Sequence, residues 1–377
     1  MHSAKPRVLV LQTILPHYRV PFFRRLCESQ AAEFTIAFGD ARPSDSLQSA
    51  DDTSGVHVRH LRNRHLPRTR AGGSLRWQSG ALGPILRRDI DVVVAEGDLH
   101  CLSTLVAFGL CRLRRIPFIL WWHGIGPQSL QWLNPLRVGW ARRASALIFY
   151  DPERPKWFTE RGIPAEKVFV TWNTVDTDTV ASLAAPWSAT QRHRILYVGR
   201  LIARKKVDLL LGGFEIAVSD LPPDTCLTIV GDGPEADPLR VRASDVGIAD
   251  RVEFTGSVTN EAELAPYFNT SFVSVSPGYV GLSIIHSMAY GLPMLVADNE
   301  PHAPEIVALS PGANGELFAS GDAEALAACL VRMCADQQAM ARMSSAARET
   351  VARGFSLGRM VRAFEGAVVY SIRGQPR

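Results

Sequence analysis

SFVSVSPGYVGLSIIHSMAYGLPMLVAD, residues 271 to 298, sets two β-prone runs around a loop and a short helix-like stretch, GYVGLSIIHSMAYG at 278 to 291. Strand, loop, helix start and second strand form the repeating unit of a parallel sheet covered by helices. The unpaired N–H groups of such a turn, together with the positive end of the helix dipole, favour an anion. Arg200 and Lys205 lie just beyond another apolar run, RILYVG at 194 to 199. Two distant loops that converged there would supply cations to one diphosphate, which points to a nucleotide-linked substrate.

Outward from this stretch the same unit recurs. RVLVLQ (7–12), FTIAF (34–38), VHVRHL (56–61), DVVVAE (91–96), FILWWH (118–123) and ALIFY (146–150) form a first series of strand-like runs. KVFVTW (167–172), RILYVG, CLTIVG (226–231), RVEFTG (251–256), FVSVSP (272–277) and PMLVAD (293–298) form a second. Several are apolar on both faces, as strands covered by helices on both sides must be. The expectation is an α/β chain of two doubly wound Rossmann-like domains, 1–180 and 181–355, joined through the polar stretch 176–193. The last segment, 356–377, has helical spacing and is expected to cross back to the first domain. Ligands of open α/β sheets sit beyond the carboxyl ends of the strands, so two such sheets facing each other make a cleft.

At 377 residues the chain exceeds what one core usually serves. With 46% apolar and 21% charged residues it has core material in quantity and no disordered composition. The net charge of +4 is unevenly spread: residues 57–88 hold Arg59, Arg62, Arg64, Arg68, Arg70, Arg76, Arg87 and Arg88 and no acidic residue. The six cysteines show neither a CxxC nor metal-ligand spacing, which fits a reducing cytoplasm. The first apolar run is too short for a secretory core, and no window reaches the about 18 apolar residues of a membrane span. A cytoplasmic protein is expected, either soluble or peripheral on the inner face of the cell membrane.

Candidate ligand residues cluster at strand ends. Gly199 would let a ligand approach the backbone, Arg200 offers a planar fork for phosphate and Lys205 a mobile point charge. Gly231 and Gly233, in GDGP, and Gly256, ending RVEFTG, are either ordinary βα punctuation or loops along which a nucleotide lies. Asn299, His302 and Glu305 follow the strand at 293–298. In the first half, Pro16, His17, Tyr18 and Arg19, then Glu96 with Gly97, then His123 with Gly124, occupy comparable ends. His123 is either a satisfied strand-end histidine or a group that orients an acceptor hydroxyl. Trp121, Trp122, Trp132 and Trp140 mixed with Arg137, Arg142 and Arg143 are core and rim, or the wet side of an anionic membrane; with the patch at 59–88, contact with an anionic membrane surface or a lipid diphosphate is favoured.

Taken together these residues resemble the retaining GT-B glycosyltransferases of family four (glycosyl transferases group 1), most specifically over 198–318. The carrying motifs are Gly199, Arg200 and Lys205, the GDGP turn, the FTG strand end, Pro304 and Glu305, and Asn314 to Phe318; Asn173 to Asp176 matches an Asn-Gly-Val-Asp segment with Thr174 for Gly. The resemblance implies a metal-independent transferase of hexosyl type. Its nucleotide-sugar donor would lie on the second domain against Gly199, Gly231, Gly233, Gly256, Gly281, Leu282, His286 and Glu305, with a lipid-linked or saccharide acceptor on the first. Arg200 and Lys205, with His123, would be the catalytic groups, and no cofactor is implied. The family's two glutamates eight positions apart, the first near the donor sugar and the second near the ribose hydroxyls, are here Gly278 and His286. The pattern G-x-V-G-L-x-x-x-H-S resembles a variant subgroup of that family.

The expected function is therefore sugar transfer in cell-surface polysaccharide or glycolipid biosynthesis. A GT-B-shaped nucleotide-sugar epimerase would need carboxylates that Gly278 lacks. A catalytically silent nucleotide-sugar-binding protein would not need Arg200 and Lys205. Nucleic-acid binding has no recognition motif to support it.

Overall fold

Runs such as VVVA and LIF are apolar at every position, so neither of their faces can meet water and helices must cover both. The computed structural model has this arrangement; it describes residues 4–42, 48–68, 74–124 and 130–374. The chain divides into two units by contact, one of Met1–Trp172 with Leu357–Arg377 and the other of Asn173–Ser356.

In the first unit the strands are β1 (Arg7–Leu11), β2 (Glu33–Gly39), β3 (Val58–Arg68), β4 (Ser74–Ser79), β5 (Val92–Glu96), β6 (Phe118–Trp122), β7 (Ala146–Phe149) and β8 (Val168–Val170). They order as β4-β3-β2-β1-β5-β6-β7-β8, and all are parallel except the β3–β4 pair. The helices are α1 (Val20–Cys27), α2 (Gly83–Arg87), α3 (Leu102–Arg114), α4 (Asn134–Arg143) and α5 (Lys156–Thr159). Alternation along the strands sorts the two faces. Val8, Val10, Val92, Val94, Ile119 and Ile148 pack with Phe22 and Phe23 of α1, whereas Leu9, Leu11, Val93, Leu120 and Leu147 pack with Cys111 of α3, Trp140 of α4 and Phe158 of α5.

The second unit holds β9 (Arg194–Val198), β10 (Cys226–Val230), β11 (Val252–Gly256), β12 (Ser271–Ser276), β13 (Met294–Ala297) and β14 (Gly315–Phe318), all parallel, in the order β11-β10-β9-β12-β13-β14. Its helices are α6 (Thr177–Leu183), α7 (Val207–Ala217), α8 (Ala236–Asp245), α9 (Glu261–Thr270), α10 (Ser283–Ala289), α11 (Ala323–Ala335) and α12 (Gln337–Gly354). Side chains of Asp176, Asn260, Asp322 and Asp336 cap α6, α9, α11 and α12. The final helix, α13 (Leu357–Arg373), returns to the first unit, where Phe364 meets Phe22 at 5.5 Å and Trp121 at 5.2 Å.

Three features differ from the sequence reading. KVFVTW belongs to the first sheet, because Val168–Val170 pairs with Leu147–Phe149. The contact division falls at Trp172/Asn173, ahead of the polar stretch 176–193, whose residues Thr177–Leu183 fold as α6 and bury Val180 against Leu196 and Phe268. Trp121, Trp122 and Trp140 are core, at 2%, 6% and 5% exposure, and Arg137 is turned inward to Leu130 O and Asn134 Oδ1. Of those four tryptophans only Trp132 faces solvent. The basic run 57–88 is partly neutralised, with Arg76 on Asp98 at 2.8 Å and Arg87 on Asp89 at 2.6 Å; Arg70 lies outside the described residues.

Candidate functional site

The second sheet grows in two directions from β9: to β10 and β11 on one side, and to β12, β13 and β14 on the other. Ligands of such sheets collect where the order reverses, here between the carboxyl ends of β9 and β12. Gly199, Arg200 and the 3-10 turn Ala203–Lys205 leave β9, and the loop Pro277–Leu282 leaves β12, so the structure brings the predicted cations to the predicted loop.

Their meeting is close. Lys205 Nζ donates to Tyr279 O at 2.8 Å, Tyr279 N–H donates to Arg204 O at 3.1 Å, and the Arg204 guanidinium lies 4.3 Å from the Tyr279 ring centroid. Gly278 is where the two loops touch: a Cβ there would stand 2.6 Å from Arg204 O and 3.0 Å from the Lys205 carbonyl. A glutamate at this position has no room, which explains physically why the position is glycine. Burial first, then the neighbouring charges of Arg204 and Arg200, push the Lys205 ammonium down to about 8. Among the described residues Arg200, Arg204 and Lys205 have no carboxylate partner. Lys206 does, in Glu300, whose carboxylate also accepts from Ser320.

The neighbouring loops are held by backbone. A Cβ at Gly231 would fall 1.9 Å from Gly199 O, so the ends of β9 and β10 could not approach as they do; Leu201 N–H then donates to Asp232 O at 2.8 Å. Gly233 lies against Leu201 O in the same way, and Gly256 O accepts from Gly231 N–H at 2.8 Å. Gly281 differs, because an added Cβ would meet only Tyr279 and Ala303 side chains at 3.7 and 3.8 Å, ordinary contact distances. Leu282 opens α10, which at seven residues is a weaker dipole than the sequence suggested, leaving the side-chain cations as the main source of positive potential.

His286 on α10 bonds Glu261 Oε1 through Nε2 at 2.8 Å, and Tyr290 OH donates to the same oxygen at 2.7 Å. Burial alone would raise Glu261, but the bonds from His286 and Tyr290 outweigh it and hold the carboxyl below the ordinary glutamate range. His302 is a bracket: Nδ1 accepts from Val280 N–H at 3.1 Å while Nε2–H donates to Ala297 O at 2.9 Å, which fixes a neutral ring. Glu305 is buried and accepts from Asn173 Nδ2; its Oε2 has no partner among the described residues.

In the first unit the sheet reverses between β1 and β5, where Thr13 donates to Glu96 and the surrounding packing raises that carboxyl. His123, ending β6, stacks on Tyr150 with centroids 4.3 Å apart. Packing, with Arg19 and Arg154 adding, lowers its imidazole to about 4. The residue keeps an exposed face, so water screens part of this effect. The direction is what matters: His123 is neutral at pH 7. Arg19 is buried, 5.0 to 5.5 Å from the rings of Tyr150, Trp121 and Tyr18. No group of three or more His, Cys, Asp or Glu among the described residues could hold a metal, and no helix among them is long and apolar enough to cross a membrane. Sequence reasoning missed Arg204, Tyr279 and Glu261. Arg204 was visible in the run ARKK, whereas nothing in the sequence marks a backbone carbonyl at 279 or pairs 261 with 286.

The family model described as Glycosyl transferases group 1 matches residues 192–336. Among curated proteins the chain is similar to the lipopolysaccharide core biosynthesis glycosyltransferase LpsE of Rhizobium meliloti, 30% identical over 43% of this chain and 45% of that one. It is also similar to a GDP-mannose-dependent alpha-(1-6)-phosphatidylinositol monomannoside mannosyltransferase of Mycolicibacterium smegmatis, 30% identical over 46% and 47%. The matched part spans about half the length of these relatives. Among solved structures, Anabaena Alr3699/HepE in complex with UDP superimposes with a TM-score of 0.71 at 18% identity, covering 97% of this chain and 99% of that one, a likeness of fold. Residues 192–336, within the second unit, thus match the glycosyl transferases group 1 family model, and the chain has a GT-B fold of two Rossmann-like domains.

Proposed function

We propose that this chain moves a sugar from a nucleotide-sugar donor to a lipid-linked or saccharide acceptor in cell-surface polysaccharide or glycolipid biosynthesis, with retention of configuration and without a metal. The observation that carries the reading is the group Arg200, Arg204 and Lys205, gathered at the switch point with no carboxylate partner among the described residues. Such a group calls for a multiply charged anion. The names of the relatives, which include a lipopolysaccharide core glycosyltransferase and a GDP-mannose-dependent mannosyltransferase, and a fold neighbour in complex with UDP, support a nucleoside diphosphate as that anion.

In this reading the bond from the anomeric carbon to the diphosphate oxygen breaks, its electron pair going to the phosphate. The acceptor oxygen bonds the same face of the sugar, and its proton passes to the departing diphosphate. Arg200 and Lys205 stabilise the charge that develops on that leaving group. The first unit takes the acceptor, with neutral His123 able to bond a hydroxyl. Glu261, held by His286 and Tyr290 through one oxygen, offers its other oxygen to the ribose hydroxyls from the place where the resembling family has a glutamate at 286. Glu261→Gln is expected to weaken nucleoside diphosphate binding about 10- to 150-fold, the worth of one hydrogen bond to a charged group. Calorimetric titration checks this, and unchanged affinity removes Glu261 from the site.

Lys205 supplies a pH signature. Its folded pKa, about 8, lies below that of an unfolded lysine, so the unfolded chain holds more protons between about pH 8 and 10 and stability rises through that window. A bound diphosphate favours the charged form, so affinity should fall as pH rises through 8. Lys205→Arg should flatten that profile; a wild-type profile that is already flat would show that Lys205 does not meet the anion.

The test of the whole reading is incubation with a panel of nucleotide sugars, saccharides and membrane lipid extract in the presence of chelator. Acceptor-dependent release of nucleoside diphosphate is expected. Epimerised donor without transfer, or tight binding without turnover, would replace the proposal with an epimerase or a binding protein.

A further inference from the structure

Arg192 is 4% exposed and stands just ahead of β9 in the second unit. Its Nη1 donates to Phe268 O at 3.1 Å and to Ser271 O at 2.6 Å, which fixes the guanidinium between the last turn of α9 and the first residue of β12. The indole of Trp187 lies over it, with the ring centroid 4.3 Å from the guanidinium carbon. Nε and Nη2, the pair that makes the side-on fork of an arginine, are buried and have no partner among the described residues, and the same holds for Trp187 Nε1. A second arginine, Arg348 of α12, acts on the first: burial, and then the Arg348 charge, pull the Arg192 guanidinium down to about 10. Arg348 Nη2 donates to Ala185 O and, at 3.3 Å, to Tyr290 O at the end of α10, while its Nε is another buried donor without a partner. The segment 185–187 therefore bridges the two cations. Neither makes an ion pair with a carboxylate among the described residues.

Arginines at helix carboxyl ends offset the helix dipole, and Arg192 at α9 and Arg348 at α10 fit that role. That role uses one nitrogen of each guanidinium and leaves Arg192 Nε and Nη2, Arg348 Nε and Trp187 Nε1 idle. A buried donor without an acceptor has given up its hydration for nothing, and two like charges held out of water repel each other. A doubly charged oxyanion answers both costs, because two of its oxygens match the arginine fork while its charge offsets the pair; a water molecule brings no charge. We infer that Arg192, Arg348 and Trp187 form a binding site for a small dianion of the phosphate type, seated on the Nε and Nη2 fork of Arg192. Half-buried Trp187, stacked on the guanidinium, is the wall that shifts to admit it. The site lies at the amino ends of β9 and β12, whereas Gly199 and Pro277 follow their carboxyl ends, so it is separate from the candidate donor site and does not depend on that reading.

The experiment is calorimetric titration of the full chain with inorganic phosphate in chloride buffer, repeated with acetate and with the variants Arg192→Lys, Trp187→Phe and Arg200→Ala. Lysine keeps a charge and a donor for Phe268 O and Ser271 O but has no fork; phenylalanine keeps the stacked ring but has no indole N–H. Wild-type protein should bind phosphate more tightly than acetate. Arg192→Lys should weaken phosphate binding about tenfold or more, and Trp187→Phe by less, with both melting like the wild type in chloride. Arg200→Ala should keep the binding, which separates this site from phosphate taken up at the switch point. Phosphate should raise the melting temperature of the wild type and of Arg200→Ala but not of Arg192→Lys. Should Arg192→Lys fail to fold, a crystal soaked in tungstate carries the test, with anomalous density expected against the Arg192 fork. The inference is overturned by absent phosphate binding, by acetate binding as tightly as phosphate, by binding that Arg192→Lys leaves unchanged or Arg200→Ala abolishes, or by water alone at the fork in the soaked crystal.

Discussion

Arg200→Ala and Lys205→Ala are each expected to lower kcat/KM for the nucleotide-sugar donor by about 30- to 1000-fold, or roughly 2 to 4 kcal/mol of lost transition-state stabilisation. The reason is electrostatic. Both groups lie at the switch point with no carboxylate partner among the described residues, so removing either withdraws stabilisation from a departing diphosphate. The double variant should fall short of the sum, because the two cations act on one anion. Arg200→Ala should melt as the wild type does, since Arg200 makes no ion pair among the described residues. Lys205→Ala also gives up its bond to Tyr279 O, so Lys205→Met, which keeps the apolar stem, serves as the control for packing. Nucleoside diphosphate release measures the effect; unaltered turnover in both single variants would end the diphosphate assignment.

Gly278→Ala is the second large effect. Its Cβ would stand 2.6 Å from Arg204 O, and a backbone carbonyl cannot swing aside as a side chain does. The turn carrying Arg204 and Lys205 must shift, and the bonds from Tyr279 N–H to Arg204 O and from Lys205 Nζ to Tyr279 O go with it. We expect about 1 to 3 kcal/mol of destabilisation in urea unfolding and a fall in activity larger than that loss alone would cause. Gly278→Glu should not rescue the family's missing glutamate but should be worse. Gly281→Ala is the contrast, since its Cβ meets only ordinary contacts; stability should hold, and any lost turnover would report a ligand lying against that Cα. Wild-type stability in Gly278→Ala would show that the two loops do not touch.

Much of this architecture was legible because its signals are local. Apolar runs such as VVVA and LIF state their own burial, and their spacing with helical stretches states the parallel sheet. Gly199, Arg200 and Lys205 were legible for the same reason, being strand-end residues of distinctive chemistry. The exchanges that escaped the sequence are between distant segments. KVFVTW is strand-like by composition, yet only pairing with β7 places it in the first sheet. Trp121, Trp122 and Trp140 share the composition of a lipid-facing surface, and burial alone separates them from Trp132.

By itself, then, the order of residues determined an α/β chain with repeated strand-helix units and the cationic strand end at Arg200 and Lys205, because backbone periodicity and strand-end chemistry are properties of a dozen neighbouring residues. The tertiary structure alone decided that Gly278 is glycine to admit the Arg204 carbonyl, that Glu261 meets His286, and that Glu305 is buried on Asn173. Each of those depends on atoms brought together from segments 25 to 132 residues apart, where sterics and hydrogen bonding act only once the sheet has closed.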